Sequence, residues 1–434
     1  MTPRWFWLLG AVAAALAFSP GVRLLLPVAL VMSAGLGIAT LVDLWVGPPR
    51  QALDVVRGPL ASVALRRPCD LLYDVTNRSG QAILLGIAEA SARTLSLHER
   101  EATGRVGSRS RATLKRRATP VARGRDSFDT LYAWYENRFG LLRRRMVIPA
   151  ALQWRVFPDL SAVERYGALH LRSHAVDAGL RALRRRGVGR EYASLREWTT
   201  GDSPRDIDWK ATARRGKLMA IEREVERGQN VFIVLDCGRL MTPRVGTLRK
   251  LDYAVTAALS LASIASLTSD RVGALAFAGD VLAACAPRPS KSSSGQIGEL
   301  LYDLEPRFEE SDYAGALAAV RRYLRKRSLV VLLSDAAGAS AGGAMRSEIG
   351  YLARHHLVVC VFMNDMAVES ALGSEPQTID AAYRSAVALE LDRERQATVL
   401  ALERVGVVTI DAPAPTLGVR LIDSYLRVKQ RGLI

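Results

Sequence analysis

Two aspartates that each follow an apolar run are the residues best placed for chemistry in this sequence. They are Asp236 and Asp335, and Ser311 lies between the two runs. If the runs are neighbouring parallel strands, both carboxylates stand at one edge of a sheet, where ligands of such sheets collect. With Ser311 as a third oxygen, this edge resembles a site for a hard cation such as Mg²⁺. Aspartates in these places also commonly cap a following turn or helix, so both roles stay open.

The elements that must position these aspartates alternate between apolar runs and helical stretches over residues 231–434. Such alternation predicts an α/β domain with a doubly wound, mainly parallel sheet. The predicted strands are Val231–Leu235, Val272–Phe277, Leu329–Leu333, Leu357–Phe362 and Val407–Ile410. The predicted helices are Thr247–Leu267, Gly295–Leu304, Tyr313–Arg325, Ala344–Arg354, Ala381–Val405 and Leu417–Gln430.

The segment Gly189–Arg214 is dense in charges, turn formers and tryptophan. Its turn signal is Gly201-Asp202-Ser203-Pro204. Charges of both signs surround it, which predicts an arginine–carboxylate network that pins the segment to the domain, with the tryptophans as apolar anchors. A docking surface is the alternative, and catalysis is not favoured, since no nucleophile stands beside a base. The residues in question are Arg196, Glu197, Trp198, Asp202, Arg205, Asp206, Asp208, Trp209, Lys210 and Arg214.

Two hydrophobic segments stand back to back at the N-terminus. Trp5–Val22 is uncharged over 18 residues, and Leu24–Val46 has 23 residues with Asp43 as its only charge. About 20 apolar residues cross the hydrocarbon core of a membrane, so residues 1–48 are predicted to form a transmembrane helical hairpin. A secretory signal would share the first segment, but the second segment argues against it.

Basic residues flank this hairpin and predict its orientation. Most lie on the side of the two ends, at Arg4, Arg50, Arg57, Arg66 and Arg67, and only Arg23 lies in the connection. Loops rich in Lys and Arg stay in the cytosol. The prediction is therefore an inner-membrane protein whose soluble domains face the cytosol.

Between the hairpin and the α/β domain, two further regions are predicted. Residues 51–158 show short alternating runs separated by turn signals, which predict a small β-sandwich. Residues 159–230 are predicted to contain a helical linker, from about Leu160 to Arg186, followed by the segment Gly189–Arg214.

The formal net charge of +17 is concentrated in residues 100–145, which hold thirteen basic and four acidic residues. An anionic lipid surface would favour such a tract by about 1 kcal/mol per nearby Lys or Arg. A nucleic-acid backbone is the alternative, which the lack of regular aromatic interleaving makes less favoured. The four cysteines show no metal-binding or redox spacing. His355 and His356 precede an apolar strand, where their rings should point to opposite faces in structural roles.

Several of these motifs resemble the bacterial "domain of unknown function 58" family. They are Gly189-x-Glu191-Tyr192, Arg196-Glu197-Trp198, Gly201-Asp202, Arg205, Asp208-Trp209-Lys210 and Ala213-Arg214. The resemblance implies two N-terminal spans, a β-rich middle and a C-terminal von Willebrand factor A-like domain. It also implies a partnership with a MoxR-type AAA+ ATPase that assembles or remodels client complexes.

The resemblance further implies a metal-ion-dependent adhesion site of the form Asp-x-Ser-x-Ser with a later Thr and Asp. Asp236, Ser311 and Asp335 match it, but Gly238 and Leu240 replace the two serines. The site is therefore expected to be degenerate and to hold Mg²⁺ weakly, if a cofactor binds at all.

The leading functional hypothesis is a membrane-anchored protein-interaction module that is not an enzyme. Catalysis by Asp236 as a phosphatase-type nucleophile would need a second carboxylate two residues on, where Gly238 stands. Sequence motifs for a serine triad, a phosphate-binding loop and a zinc protease are not visible. A nucleic-acid-binding protein, using residues 100–145, and a metal-dependent hydrolase are the alternatives.

Overall fold

The structure is a computed structural model, and it describes residues 1–19, 25–60, 62–136, 139–167, 169, 191–199, 204, 207–224, 228–335, 339–364, 366–373 and 375–433. The chain divides into two compact units, Met1–Phe157 and Pro158–Ile434.

The first unit begins with two apolar helices, α1 (Pro3–Ala17) and α2 (Leu25–Val46). Helix α2 has 22 residues and a mean hydropathy of 2.2, so it is long and apolar enough to cross a membrane. Helix α1 ends at Ala17 and has 15 residues, about 22 Å at 1.5 Å per residue. Among the described residues, α2 alone reaches the length of a full span, and α1 is a shorter apolar helix beside it; the second span stays a prediction.

Polar contacts fix these helices within the first unit. The indole Nε1 of Trp5 donates to the Thr40 hydroxyl at 3.1 Å. Asp43, the only charge of α2, is buried, and its Oδ2 accepts from the amides of Leu141 and Leu142 at 3.2 and 2.8 Å. The carboxylate therefore ties the end of α2 to the β-rich part of the same unit.

The described residues that follow form nine strands in two sheets with the orders β1-β3-β7-β5 and β2-β9-β8-β4-β6. Their inward side chains alternate with exposed ones, as in β3, where Leu71, Tyr73 and Val75 are buried. The bounds are β1 Leu53–Arg57, β2 Ser62–Ala64, β3 Cys69–Asn77, β4 Ile83–Glu89, β5 Leu95–Leu97, β6 Ala102–Val106, β7 Ser110–Pro120, β8 Gly124–Glu136 and β9 Arg143–Phe157.

The basic tract of the sequence runs through β6 to β9, and it does not form one uniformly basic surface. Arg116 is buried and donates to the carbonyl oxygens of Glu99 and Arg100. On the neighbouring strand, Asp70 lies 4.0 Å from Arg117. Part of the positive charge therefore forms hydrogen bonds within the unit or lies beside an acidic side chain.

The second unit opens with helical residues 161–167 (α3) and an antiparallel pair, β10 (Glu191–Glu197) and β11 (Met219–Glu224), with α4 (Trp209–Arg215) between them. The predicted helical linker is thus helical over 161–167. Residues 168 and 170–190 lie outside the described part of the chain.

A six-stranded sheet with the order β16-β15-β12-β17-β18-β19 forms the centre of this unit. All neighbours are parallel except β15 and β16. Strands β12 and β17 are apolar and buried almost throughout, as expected for parallel strands covered on both faces. The bounds are β12 Asn230–Asp236, β13 Arg244–Val245, β14 Leu248–Arg249, β15 Arg271–Phe277, β16 Val281–Arg288, β17 Leu329–Ser334, β18 Leu357–Asn364 and β19 Val408–Pro413, of which β13 and β14 form a separate short pair.

Helices cover both faces of this sheet and form two apolar cores. Residues of α5, α6 and α11 pack on one face, and residues of α7, α8 and α10 pack on the other. The helices are α5 Lys250–Leu267, α6 Ser290–Leu301, α7 Tyr313–Tyr323, α8 Ala339–Ala353, α9 Met366–Gly373, α10 Ile379–Arg404 and α11 Leu417–Arg431. The predicted mixed α/β class is confirmed, whereas the antiparallel strand β16 was missed.

Candidate functional site at the carboxyl edge of the sheet

Asp236, the last residue of β12, is fully buried and accepts four hydrogen bonds. Its Oδ1 accepts from the Gly238 amide at 2.8 Å and the Ser311 hydroxyl at 2.5 Å. Its Oδ2 accepts from the Tyr313 hydroxyl at 2.8 Å and the Ser334 hydroxyl at 2.7 Å. Both oxygens are therefore satisfied by donors of the chain itself, as a buried carboxylate requires.

Tyr313 links this network to the neighbouring strand, because its hydroxyl oxygen also lies 2.8 Å from that of Ser334. Burial raises the pKa of the Tyr313 phenol well above its ordinary value of 10, and the charge of Asp236 raises it further. The phenol therefore keeps its proton and remains a donor to Asp236.

Asp335, just after β17, forms a buried ion pair with Lys250, the first residue of α5. The ammonium nitrogen lies 2.7 Å from Oδ2, and the two side chains are 7% and 4% exposed. Removing either partner of such a pair is strongly destabilising, because it leaves the other charge buried and uncompensated. Lys250 thus supplies a cation at this edge of the sheet.

Gly238 stands where the adhesion motif has its first serine, and the structure explains the replacement. A Cβ atom there would lie 2.0 Å from the Ser311 hydroxyl oxygen and 3.1 Å from the carbonyl oxygen of Glu309. The chain passes so close to Ser311 that a side chain at this position would require Ser311 to move.

These contacts do not fit the Mg²⁺ site that the family resemblance implies. The sequence brings Asp236 and Ser311 together as expected, but the Ser311 hydroxyl donates to the carboxylate instead of facing a metal. Asp335 already contacts an ammonium group. Among the residues that the structure describes, no group of three or more His, Cys, Asp or Glu side chains is placed to hold a metal ion.

Sequence reasoning missed three members of this site: Lys250, Tyr313 and Ser334. Ser334 precedes Asp335 directly, so its place at the edge was available from the strand assignment. Lys250 carried a fainter signal, as a charged residue opening a helix that is apolar nearly all round and therefore buried. No spacing rule links it to Asp335, 85 positions further along.

In the segment Gly189–Arg214, Asp208 caps α4. Its Oδ1 accepts from the amides of Lys210 and Ala211, both at 3.0 Å. The helix ends at Gly216 in the left-handed conformation, with φ of 67°. Asp208 thus caps the N-terminus of α4, whereas the sequence had suggested that its carboxylate pairs with an arginine.

Trp209, the first residue of α4, is 68% exposed. It is therefore not the apolar anchor that the sequence suggested. Arg214, in the last turn of the same short helix, is exposed as well.

The remaining predicted residues of this segment divide into described and undescribed ones. Arg196 donates to the Glu197 carbonyl oxygen and the Thr199 hydroxyl. Glu197 forms an exposed ion pair with Lys217 at 3.0 Å, of a kind worth little in solvent. Gly201, Asp202 and Arg205 lie outside the described residues.

The fold and site define a mixed α/β protein with a closed carboxylate network at the edge of its main sheet. The model of the family described as "Protein of unknown function DUF58" matches residues 194–400. The resemblance is confirmed over that range, which includes Asp236, Lys250 and Asp335.

Relatives with curated sequences are uncharacterised proteins of Mycobacterium tuberculosis and Mycobacterium bovis. Each is 26% identical over 185 residues, which is 42% of this chain and 58% of the relative. The match thus spans little more than half the length of these relatives.

Some solved structures are similar to parts of this chain. The proximal thread matrix protein 1 of the mussel byssus aligns with 45% of this chain and 46% of its own at 12% identity and a TM-score of 0.31. A PapD-like domain of human CEP192 aligns with 26% of this chain and 89% of its own at 8% identity and a TM-score of 0.21. Scores this low carry no argument about fold or function.

Proposed function

We propose that this chain is a membrane-anchored protein-interaction module that docks a MoxR-type AAA+ ATPase during assembly or remodelling of client complexes. The observation that carries the proposal is the exposed indole of Trp209 on a helix capped at both ends. Tryptophan is prominent among the residues that dominate protein interfaces. A rigid support also lowers the conformational entropy lost on binding.

The anchor is α2, which has the length and hydropathy of a membrane span. We place the soluble parts on the cytosolic side of a bacterial inner membrane, because the basic residues Arg50, Arg57, Arg66 and Arg67 follow α2. The exposed bases among residues 100–145 then suit an anionic lipid surface.

In this proposal the second unit is a doubly wound, von Willebrand A-like domain, and the first unit carries a β-sandwich. The six-stranded sheet with helices on both faces supports the former, and the four- and five-stranded sheets support the latter. The domain is a binding scaffold without catalysis, and its adhesion site is degenerate.

Among the described residues of the second unit, Trp209 and Phe308 are exposed aromatic side chains at the two places considered for docking. Trp209 lies in the segment Gly189–Arg214. Phe308, which is 86% exposed, lies in the loop that leads to Ser311 at the carboxyl edge of the sheet. The proposal assigns the ATPase to Trp209, because the flanking Lys210 and Arg214 are exposed on the same helix and extend the surface with donors.

The test is binding of the full chain, held in nanodiscs, to the purified MoxR-type ATPase of the same organism by interferometry. Trp209→Ala should weaken binding about 30-fold or more, the effect of losing an interface residue worth about 2 kcal/mol. Tyr383→Ala is the matched control, since Tyr383 is a 71% exposed aromatic on α10, and it should leave affinity unchanged.

Phe308→Ala separates the two faces. If it abolishes binding while Trp209→Ala does not, the ATPase docks at the carboxyl edge and the assignment to Trp209 is wrong. If the wild-type chain fails to bind the ATPase with and without nucleotide, the partnership itself is wrong.

A further inference from the structure

A basic cavity lies at the end of the main sheet opposite to Asp236 and Asp335. It has a volume of about 350 Å³ and lies between the end of α7 and the end of α8, where β17 and β18 begin. Binding sites for small molecules usually start at about 300 Å³. The cavity is therefore large enough for a phosphate group and part of the molecule that carries it.

Four cationic side chains line this cavity within seven positions: Arg321, Arg325, Lys326 and Arg327. The Glu348 carboxylate lies 3.0 Å from Arg321. Among the described residues, Arg325 and Arg327 have no carboxylate within ion-pair distance. Like charges gathered around a concave surface raise the local concentration of anions.

His356, which also lines the cavity, has an unmet hydrogen-bonding atom. The residue is 9% exposed, and its Nδ1 is buried with no hydrogen-bond partner in the described part of the chain. A buried polar atom without a partner costs roughly 1–3 kcal/mol. An anionic oxygen in the cavity would supply the missing partner.

Tyr351 and His355 hold the wall of the cavity in place. The Arg321 guanidinium carbon lies 5.0 Å from the centre of the Tyr351 ring, and the rings of Tyr351 and His355 are 5.2 Å apart. Arg321 is thus fixed by both a carboxylate and an aromatic ring, which reduces the entropy lost when a ligand binds.

We propose that this cavity binds the phosphate group of a small phosphorylated molecule. Planar guanidinium groups match phosphate oxygens with paired hydrogen bonds. Several cations around one concave space favour a dianion over a single carboxylate. The phosphate belongs either to a soluble metabolite or to a lipid headgroup, and both present the same chemistry to these side chains.

The test is isothermal titration of the full chain, in a neutral detergent, with inorganic pyrophosphate. Arg325→Ala/Arg327→Ala should weaken binding at least tenfold. Arg322→Ala is the matched control, because Arg322 is an exposed arginine of the same run that does not line the cavity; it should change affinity less than twofold. An equal loss in both variants, or no saturable binding by the wild-type chain, overturns the proposal.

Two further measurements locate the ligand and its source. His356→Phe keeps a ring and removes Nδ1, so it should weaken binding several-fold while the melting temperature without ligand is maintained or rises. A His356 imidazole resonance that pyrophosphate leaves unmoved would contradict the placement.

Dihexanoyl phosphatidic acid, titrated below its micelle concentration, carries the same group on a lipid. Tighter binding than that of pyrophosphate assigns a lipid headgroup, and weaker binding assigns a soluble ligand.

Discussion

The two ends of the six-stranded sheet treat charge in opposite ways. At the carboxyl end, Asp236 and Asp335 are buried, and each meets donors or a cation of the chain itself. At the amino end, Arg325 and Arg327 are exposed without a carboxylate partner among the described residues, and the Nδ1 of His356 is buried and unmet. The sequence predicts a site at the carboxyl end, where the charged groups are satisfied by the chain itself. It predicts none at the amino end, where the charged groups remain available to a ligand.

The difference follows from burial. A carboxylate removed from water must be satisfied within the fold, or the fold is destabilised by several kcal/mol. A guanidinium at the surface keeps its hydration and remains available for a ligand. The comparison therefore predicts that changes at the carboxyl end act mainly on stability, whereas changes at the amino end act mainly on binding.

The largest expected effect is that of Lys250→Met. It leaves the buried Asp335 without its cation, which should lower the free energy of unfolding by about 3–5 kcal/mol. Chemical denaturation of the full chain in detergent, followed by tryptophan fluorescence, measures it.

A second variant and a metal titration sharpen this result. Lys250→Met/Asp335→Leu removes both charges and should recover most of the stability, since apolar replacements of buried pairs are often neutral. Mn²⁺ should stabilise Lys250→Ala, where the ammonium group is gone, and not the wild-type chain. Stabilisation of the wild-type chain by millimolar Mn²⁺ would show that the Lys250 ammonium group does not take the place of a metal ion beside Asp335.

A smaller effect is expected from Gly238→Ser, which restores the serine of the adhesion motif. Its Cβ would meet the Ser311 hydroxyl at 2.0 Å, so Ser311 must turn away from Asp236. Overpacking of this kind costs about 1–3 kcal/mol, again measured by denaturation. Gly238→Ser/Ser311→Gly removes the closest clash and should be less destabilised. Unchanged stability in the single variant would mean that the edge is looser than the contacts indicate.

Periodicity predicted much of the main sheet, because five of its six strands run parallel, and four of these, β12, β15, β17 and β18, are apolar and buried almost throughout. Strand β16 was missed because it is a half-exposed edge strand whose apolar residues 281–286 are rich in alanine, which is uncommon in strands. The length of α1 was overestimated, because hydropathy continues past Ala17 while the helix does not.

The candidate site was predictable only where the end of a strand or the start of a helix fixes the position of a residue. Strand ends placed Asp236 and Asp335 at one edge, and the helix start placed Ser311 nearby. The partner of Asp335 was not predictable, since Lys250 reaches it through the packing of α5 on the sheet. The amino-end cavity was hidden for the same reason: the run 321–327 and His356 meet only once α7 and α8 are folded.

The smallest expected effect is a change in the pH dependence of stability at the amino end. Burial lowers the pKa of His356 from its ordinary 6.5, with His355 and Arg327 adding to the shift. The unfolded chain therefore takes up this proton at higher pH than the folded chain. The stability that the neutral His356 imidazole contributes to the folded chain is fully present above pH 6.5. This stability is lost as the pH falls through the pKa of His356 in the folded chain.

His356→Phe should accordingly lose less stability than the wild-type chain when the pH is lowered from about 7.5 to about 5.5, measured by thermal unfolding in detergent. Pyrophosphate should reduce the same loss in the wild-type chain, because an anion beside the imidazole favours its protonated form. Arg325→Ala/Arg327→Ala, in the same buffers, is the control for protonation of pyrophosphate itself. If pyrophosphate acts equally on that variant, the amino end is as closed to ligands as the carboxyl end.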